Sequence, residues 1–389
     1  MTHQPAATPS LNPAFAGAAA TFSGIGLARF AYVPLFPAMV VAGWVTGPEA
    51  GFLGAMNLAG YLIGVLGGET VARRLGTARA LDAGMALVGL AFAACAWNGG
   101  VVWLAVWRFL AGLAGGTLMA LAGPAVQGAV APTQRGIGGG IVVTGVGGGI
   151  IAASLLIPSL LPAGLSVTWL ALAVLVTALW MLAHPRWPQT PVASVDVAGA
   201  GGKGLTLILT YGLAGAGMVP HMVYFVDYAV RGCNLDPHLA ALLWLLFGIG
   251  AICGTLTGGR AADLWGAVRT LKICLALQVT AVALALHSAV ASLIIAALLG
   301  GFSGIGITAV VLARARELAG AAAGALWVRA TAVYALAQAA TGFVLVPLFA
   351  YTNSYGLVFG TCLVLSLAAL LVSAPDRQAS TPNDHSSFR

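Results

Sequence analysis

Twelve apolar runs, each long enough to cross a bilayer as an α-helix, follow one another along this chain. A helix that spans the hydrocarbon core needs about 20 predominantly apolar residues. Charged residues make up 7% of the 389 residues, whereas a typical soluble domain contains about 25%. The pattern predicts an all-α membrane protein without a sizeable soluble domain, with spans at 14–42, 48–68, 78–97, 100–123, 136–161, 164–183, 204–230, 238–259, 270–289, 291–313, 321–349 and 353–374.

The basic residues predict how these spans are oriented, because cytoplasmic loops of membrane proteins carry an excess of Lys and Arg. If the first span begins inside, 13 of the 17 basic residues are cytoplasmic and Arg231 alone lies outside. We therefore expect the bacterial inner membrane as the location, both termini in the cytoplasm, and the lipid bilayer rather than nucleic acid as a partner. The 13 are Arg73, Arg74, Arg79, Arg135, Arg186, Lys203, Arg260, Arg269, Lys272, Arg314, Arg316, Arg377 and Arg389.

A repeat of glycine positions indicates two related halves, from which transporters are often built. At an offset of 190 residues, Gly60, Gly64, Gly68, Gly76, Arg79 and Leu81 match Gly250, Gly254, Gly258, Gly266, Arg269 and Leu271. We predict an N-terminal six-helix bundle over 1–183, a cytoplasmic interdomain loop over 184–203, a C-terminal six-helix bundle over 204–374, and a disordered cytoplasmic tail over 375–389.

The first span contains Arg29 near its middle. An arginine at the centre of a spanning helix costs about 2.5–3.5 kcal/mol on insertion scales. We therefore expect Arg29 to face protein, water or a counter-charge rather than lipid. Tyr32, Pro34 and Pro37 follow it, and the prolines predict a helix that is broken or bent.

Two further arginines lie within apolar runs. Arg108 in the fourth span lies about 10 Å from the start of that span, so it faces a cavity or extends to the outer interface. Arg329 lies about two turns from the cytoplasmic end of the eleventh span. It lines the cavity or extends to the inner interface, and the sequence favours neither alternative. Trp107 and Tyr334 are neighbouring candidates for a cavity lining.

The seventh span carries two titratable side chains, His221 and Asp227, with Tyr224 between them. On a helix of 3.6 residues per turn, Tyr224 lies about 60° from each of the other two, so the three residues lie within an arc of about 120° and form one polar stripe. A histidine can exchange protons near neutral pH, so the stripe is a candidate for proton coupling. Hydrogen-bonded packing of His221 and an interfacial position of Asp227 are the alternatives.

The segment Gly68–Arg79 and its counterpart share glycine and basic residues. The counterpart contains Asp263, Gly266 and Arg269, whereas the first copy has Arg73 at the acidic position. This pattern resembles the loop signature of the major facilitator superfamily. There the acid and basic residues form ion pairs at helix ends that break when the halves rock; simple anchoring by positive charge is the alternative for Arg73.

Other spans resemble the same superfamily. Arg108, followed four residues later by Gly112, is similar to its fourth-helix signature, with Ala111 where a glutamine is common. The glycine-rich fifth span resembles the antiporter signature only in part, since Val146 replaces a proline, and close helix packing is the favoured interpretation. Two stretches resemble the YbfB/YjiJ-like branch of the superfamily. They are the run Pro220–Tyr228 and the first-span residues Gly24, Gly26, Arg29, Phe30, Tyr32, Pro34 and Pro37.

The resemblance implies twelve transmembrane helices in two pseudo-symmetric six-helix bundles around a cavity lined mainly by helices one, four, seven and ten. We expect a secondary active transporter that is coupled to protons, works by alternating access and carries a small anionic or amphipathic organic solute. An anionic solute is favoured because three arginines but only one clear acid lie within the membrane spans. The expected roles are substrate binding for Arg29, Tyr32, Arg108, His221 and Tyr224, proton coupling for His221 and Asp227, gating for Arg73, Arg79, Asp263 and Arg269, and a further cavity lining by Trp107, Arg329 and Tyr334.

Several other functions lack their sequence signatures. Lys203 is followed by Gly and Lys272 by Ile, so the chain has no Gly-Lys-Ser/Thr phosphate loop to drive transport with ATP. The five cysteines are scattered, and we expect no metal site, cofactor or enzymatic activity. A drug or metabolite efflux exporter of the same fold is the main alternative function, and a membrane sensor or intramembrane enzyme is a remote one. The resemblance implies a monomer.

Overall fold

The computed structural model describes residues 11–188 and 204–373, which fold into helices and turns without any β-strand. We number the spans α1 to α12. They are α1 Asn12–Val41, α2 Gly47–Leu75, α3 Thr77–Cys95, α4 Gly100–Ala129, α5 Arg135–Leu160, α6 Leu165–Ala183, α7 205–232, α8 Pro237–Trp265, α9 Ala267–Leu284, α10 Val290–Ala319, α11 Ala323–Thr352 and α12 Tyr355–Val372. Short 3-10 turns lie at Pro132–Gln134, Leu161–Ala163, His184–Arg186 and Gly320–Ala322.

Eleven stretches of the described chain are helical, long and apolar enough to cross a membrane, so the predicted all-α membrane fold is confirmed. The exception is α7, which consists of Leu205–Gly217, Val219–Val223, Phe225–Asp227 and a π-helical turn at Tyr228–Gly232. Its continuity is lost because Pro220 has no N–H to donate. In addition, ψ is −8° at Met218 and −11° at Tyr224, far from the α-helical value of about −42°.

The turn between α2 and α3 is much shorter than the sequence predicts. The segment Gly68–Arg79 is expected to be a loop, but α2 continues to Leu75 and α3 begins at Thr77, so Gly76 alone makes the turn. Gly76 has a φ of 87°, and its counterpart Gly266 has a φ of 83°, in the region that favours glycine. The extra helical turn is tolerated because its residues are largely exposed and their backbone remains hydrogen-bonded.

The predicted repeat corresponds to a repeat in helix packing. In the first half, α2 lies so close to α4 that a Cβ added to Gly60 would come within 2.0 Å of the Phe109 carbonyl oxygen. In the second half, a Cβ added to Gly250 of α8 would come within 2.2 Å of the Leu298 carbonyl oxygen of α10. Backbones can approach this closely only at small residues. The matched glycines therefore lie at equivalent helix crossings of the two halves.

The halves meet where α5 packs against α8 and where α2 packs against α11. A Cβ added to Gly147 of α5 would lie 2.4 Å from Ile252 and 3.0 Å from the Gly248 carbonyl oxygen, both on α8. On another face of α5, a Cβ added to Gly149 would lie 2.6 Å from the Cα atom of Gly26 on α1. The glycines of the fifth span thus pack between two helices, as the packing interpretation predicts.

The start of the connection between the halves is attached to α3. The Asp82 carboxylate accepts hydrogen bonds from the indole N–H groups of Trp180 and Trp187, each at 2.7 Å, and lies 2.9 Å from Nδ1 of His184. The sequence does not single out Asp82, because its partners are about a hundred positions away. Most of the predicted interdomain loop and the predicted tail lie outside the described residues.

Candidate functional site

A cavity of about 330 Å³ lies between the two halves. It extends from Arg29, near the middle of α1, to Glu69, near the end of α2 where Arg73 lies. We call the side of the protein on which Glu69 and Arg73 lie the basic side, and we call the opposite side the Arg231 side. Residues of α1, α2, α4, α5, α7, α10 and α11 line the cavity, and its volume is at the lower end of the about 300–1,000 Å³ found for small-molecule sites.

A break in α1 positions Arg29 at the closed end of this cavity. The helix becomes π-helical over Phe22–Leu27 and makes a turn over 28–31 before it continues. A Cβ added to Gly24 in the π-helical stretch would lie 3.2 Å from the Cα atom of Gly115 on α4, so only glycine lets α1 approach α4 here. Single π-helical turns are frequent at functional sites. The contact fixes the irregular segment that presents Arg29 to the cavity.

The Arg29 guanidinium is buried, with 8% of the residue exposed, and its contacts are uncharged. Its Nη2 donates to Oε1 of Gln338 at 2.9 Å and lies 3.1 Å from the sulfur atom of Met222. Its central carbon lies 5.2 Å from the ring centres of both Phe30 and Tyr61. An amide oxygen and aromatic faces stabilise a cation, but they do not neutralise it.

Among the described residues that line the cavity, Glu69 is the only acid, and it lies at the mouth. Glu69 pairs with Arg73 at 2.7 Å on the exposed surface. Elsewhere in the lining, Nε of Arg29, Nε1 of Trp327 and Oγ1 of Thr331 are buried without a hydrogen-bond partner. The lining therefore combines one buried positive charge with unused hydrogen-bond donors.

Two tyrosines form an aromatic wall on the second-half side of the cavity. The rings of Tyr211 and Tyr334 stack with their centres 4.3 Å apart and an angle of 27° between their planes. The Tyr211 hydroxyl lies 3.0 Å from Oγ1 of Thr308, and the Tyr334 hydroxyl donates to the Gly304 carbonyl oxygen at 3.4 Å. The structure thus places Tyr334, a predicted lining residue, in the cavity wall.

Arg108 lies inside the first half and does not line the cavity. Only 1% of it is exposed. Its Nη1 donates to the Ala28 carbonyl oxygen at 2.8 Å, and its guanidinium carbon lies 4.5 Å from the ring centre of Tyr32. Asn57 donates to the same carbonyl oxygen at 3.3 Å. The sequence predicts that Arg108 faces a cavity or reaches the membrane interface, and it does neither. The reason is that the break in α1 leaves a backbone acceptor beside Arg108.

Four aromatic side chains separate the cavity from the Arg231 side of the protein. We call Tyr32, Phe36, Tyr224 and Phe349 the aromatic layer. Ring centres are 6.1 Å apart for Tyr32 and Phe36, 5.6 Å for Phe36 and Tyr224, and 5.5 Å for Tyr224 and Phe349. All four are at most 2% exposed. The layer joins α1 to α7 and α11, so the cavity is closed on this side and reachable from the basic side.

Asp227 lies beyond the aromatic layer at the end of α7 on the Arg231 side. Its carboxylate accepts from Nε and Nη2 of Arg231 at 2.5 and 2.7 Å and from the Tyr355 hydroxyl at 2.6 Å. The Arg231 guanidinium in turn lies 6.0 Å from the ring centre of Phe36 in the first half. Asp227 therefore holds a charged group against the opposite half rather than facing the cavity.

His221 is enclosed within the second half. Its ring stacks on Phe225 with centres 4.9 Å apart and meets the Phe359 ring edge-on at 5.6 Å. A Cβ added to Gly300 of α10 would lie 2.9 Å from the imidazole ring. His221 does not line the cavity.

The predicted polar stripe of His221, Tyr224 and Asp227 is therefore not formed. His221 packs among aromatic rings, Tyr224 belongs to the aromatic layer, and Asp227 pairs with Arg231. The prediction assumed 3.6 residues per turn throughout, and the breaks in α7 change the direction of each side chain.

The other predicted residues lie outside the cavity lining. Trp107 packs against Trp103 with ring centres 5.6 Å apart, and Arg329 is half-buried on α11, outside the cavity lining. The expected gating residues Arg73, Arg79, Asp263 and Arg269 are exposed at helix ends on the basic side. Each of the four ion pairs found between described side chains joins groups of the same half.

Sequence reasoning did not identify five residues that surround Arg29 or line the cavity: Tyr61, Tyr211, Met222, Thr308 and Gln338. Gln338 carries a usable signal, because a fully buried amide within an apolar span needs a polar partner. The other four resemble ordinary residues of a membrane helix. Their proximity to Arg29 depends on how the two halves are docked.

These features define a class of protein. Two related helical halves enclose a small cavity that is closed on one side and reachable from the other, as in a membrane transporter. The chain also matches the model of a protein family described as uncharacterised MFS-type transporter YbfB, over residues 21–374. It therefore belongs to this family of the major facilitator superfamily and has its twelve-helix, two-bundle fold. No curated protein matches the sequence.

Proposed function

We propose that this transporter is a monomeric, secondary active carrier of the bacterial inner membrane that works by alternating access. The basic side is the cytoplasmic side, which puts both termini in the cytoplasm and makes the described state inward-open. What supports this is the concentration of Lys and Arg at the helix ends of the basic side, together with the closure of the opposite side by the aromatic layer.

The substrate of this carrier is a small anionic or amphipathic organic solute. The observation that carries this proposal is Arg29, a buried cation at the closed end of the cavity whose described contacts are an amide, a thioether and two rings. Because a buried charge without a counter-charge is costly, an anion in the cavity gains the interaction that the protein leaves unmade.

Proton coupling involves His221 and Asp227. The Asp227 carboxylate fixes Arg231 against Phe36 of the other half, so protonation of this acid releases a contact that closes the Arg231 side. Neither residue lines the cavity, and coupling between the proton and the solute therefore acts through the opening of the aromatic layer rather than through direct contact.

Efflux of apolar drugs or metabolites is the second candidate. It is favoured by the largely apolar lining, which includes Ile25, Val65, Met119 and Ile305. On this alternative, Arg29 serves to hold the halves together through Gln338 and contributes little to recognition.

The direct test measures solute uptake into proteoliposomes across a panel of radiolabelled organic anions and neutral amphiphiles, with and without an imposed pH gradient. We expect at least one anion to be transported and Arg29→Gln to abolish its transport, while the exposed Arg74→Gln variant retains it. Transport of neutral amphiphiles alone, unaffected by Arg29→Gln, would establish the efflux alternative instead.

The coupling proposal is tested by Asp227→Asn, which retains the shape of the side chain but cannot be protonated near neutral pH. We expect the imposed pH gradient to stop accelerating uptake in this variant, while exchange of labelled for unlabelled solute continues. A variant that still responds to the gradient as the unmodified protein does would exclude Asp227 from coupling.

A further inference from the structure

The groups around Arg29 suit a narrower class of solute than an organic anion in general. Inside the mouth, the described lining residues offer one cation and no carboxylate. One guanidinium matches one carboxylate in charge and in its paired geometry. A dianion would carry its second charge into a lining that is mostly apolar, where an unpaired charge is costly.

Aromatic side chains form part of the walls of the cavity. Tyr61 lies beside the Arg29 guanidinium, and the stacked pair of Tyr211 and Tyr334 faces the same space together with Trp327. Aromatic rings favour other rings in stacked or edge-to-face contacts beyond the gain from the area that is buried. A planar ring therefore gains more from these walls than an aliphatic body of similar volume.

The present partner of Arg29 can be replaced without breaking a charge pair. Gln338 accepts from Arg29 at 2.9 Å through an uncharged oxygen, and its amide nitrogen lies 3.2 Å from the Met222 sulfur atom. A carboxylate makes a stronger, charge-assisted bond than an amide. Because Arg29 belongs to the first half and Gln338 to the second, a ligand that takes over this bond also loosens a contact between the halves.

Resting on the function proposed above, we infer that the cavity binds aromatic monocarboxylates, with the carboxylate on Arg29 and the ring against Tyr334 and Trp327. The unpartnered Nε1 of Trp327 and Oγ1 of Thr331 supply further donors for polar substituents on the ring. Gln338 serves as the internal substitute that occupies Arg29 when the solute is absent.

The test measures binding to the purified protein by isothermal titration calorimetry. The probes are phenylacetate, 3-phenylpropionate and indole-3-acetate. Each is compared with its uncharged amide, and phenylacetate is also compared with cyclohexylacetate and with the dianion phenylmalonate. We expect at least one aromatic monocarboxylate to bind, its amide and the dianion to bind at least about 30-fold more weakly, and the cyclohexyl compound to bind about three- to tenfold more weakly.

Two variants separate the charge from the ring. Arg29→Gln should remove the preference for the carboxylate over the amide, whereas Tyr334→Leu should retain that preference and lose the one for phenyl over cyclohexyl. The exposed Arg74→Gln variant serves as the control, and circular dichroism verifies that each variant is folded.

The outcomes distinguish this inference from the proposed function. If phenylacetate and cyclohexylacetate bind equally and both depend on Arg29, the aromatic inference is wrong and the anion carrier stands. If none of the three aromatic acids binds while other anions are transported, the inference also fails alone. If the amides bind as well as the acids, both proposals fail together.

Discussion

Two arginines buried in apolar helices have opposite surroundings in this protein. Arg29 faces a cavity, and its described contacts are side chains, two of them from the other half. Arg108 is sealed within one half, where it donates to a backbone carbonyl and lies on the ring of Tyr32, a member of the aromatic layer. Their costs in an isolated membrane helix are similar, so the difference arises from what each one contacts.

Arg108 is packed as part of the fold, whereas Arg29 is the arginine for which we propose a role in recognition. Arg108 satisfies the Ala28 carbonyl that the break in α1 leaves free, and it thereby supports the closed Arg231 side. Both arginines have a buried Nε without a hydrogen-bond partner, but Arg29 borders the cavity and contacts side chains of the other half, whereas Arg108 is packed within one half. The surroundings of Arg29 therefore leave it accessible to a ligand, and those of Arg108 do not.

The largest expected effect comes from exchanging the two arginines for methionine one at a time. Arg29→Met should lower transport of an anionic solute by at least about a hundredfold and leave stability unchanged or increased, because it removes a cation without a counter-charge that borders a cavity rather than a packed interior. Arg108→Met should destabilise the protein by about 1.5–3 kcal/mol, the range for a hydrogen bond to a charged group. Thermal unfolding and proteoliposome uptake measure the two quantities, and equal losses of stability in both variants would remove the distinction.

The next effect concerns the missing counter-charge of Arg29. Gln338→Glu places a carboxylate where the amide oxygen now lies, and we expect it to raise stability by about 1–2 kcal/mol through a charge-assisted bond. It should also weaken anion binding by at least about tenfold, since the acid competes for the same guanidinium. The shape-matched control is Gln338→Met. Unchanged anion binding in Gln338→Glu would show that the solute does not use Arg29.

A third prediction tests the closed side. A Cβ added to Gly51 on α2 would lie 2.3 Å from the Tyr224 hydroxyl oxygen, so Gly51→Leu is incompatible with the aromatic layer as it is packed. Ala50 is fully buried, and its carbonyl oxygen accepts from the hydroxyl of Tyr32 in the layer at 2.8 Å. We expect an increase of about tenfold in alkylation of Ala50→Cys from the Arg231 side, equivalent to about 1.4 kcal/mol, in a background without the native cysteines. The smaller side chain of Gly51→Ala should displace the Tyr224 ring less and give a smaller increase, and a Gly51→Leu protein that remains unreactive would contradict the closure.

The smallest effect is expected at the centre of the layer. The Tyr224 hydroxyl is buried without a hydrogen-bond partner, although the sequence predicts a role for this residue in substrate binding. Tyr224→Phe should therefore raise the free energy of unfolding by up to about 1 kcal/mol, because it removes a buried hydroxyl whose desolvation no hydrogen bond compensates. Thermal unfolding tests this prediction, and transport should be retained if Tyr224 contacts neighbouring side chains rather than solute.

Much of the architecture was predictable because it depends on composition and on period. Spans of about 20 apolar residues require helices in a bilayer, since every backbone group must be hydrogen-bonded within its own segment. The glycine repeat likewise predicted equivalent crossings, as at Gly60 and Gly250, because backbones approach only where side chains are small. The bounds were less accurate at Gly76, where helices continue beyond the apolar core.

The candidate site was predictable only in part. Arg29 stands out because its charge is costly wherever it lies in the span, so the sequence alone determines that it needs a special environment. Which environment it has, and that Arg108 has a different one, was decided by tertiary structure. The break in α1 exposes a carbonyl to one arginine, and the docking of the halves brings Gln338 and Met222 to the other. Local sequence specifies helices, but contacts between residues some 200 to 300 positions apart are specified only when the halves pack together.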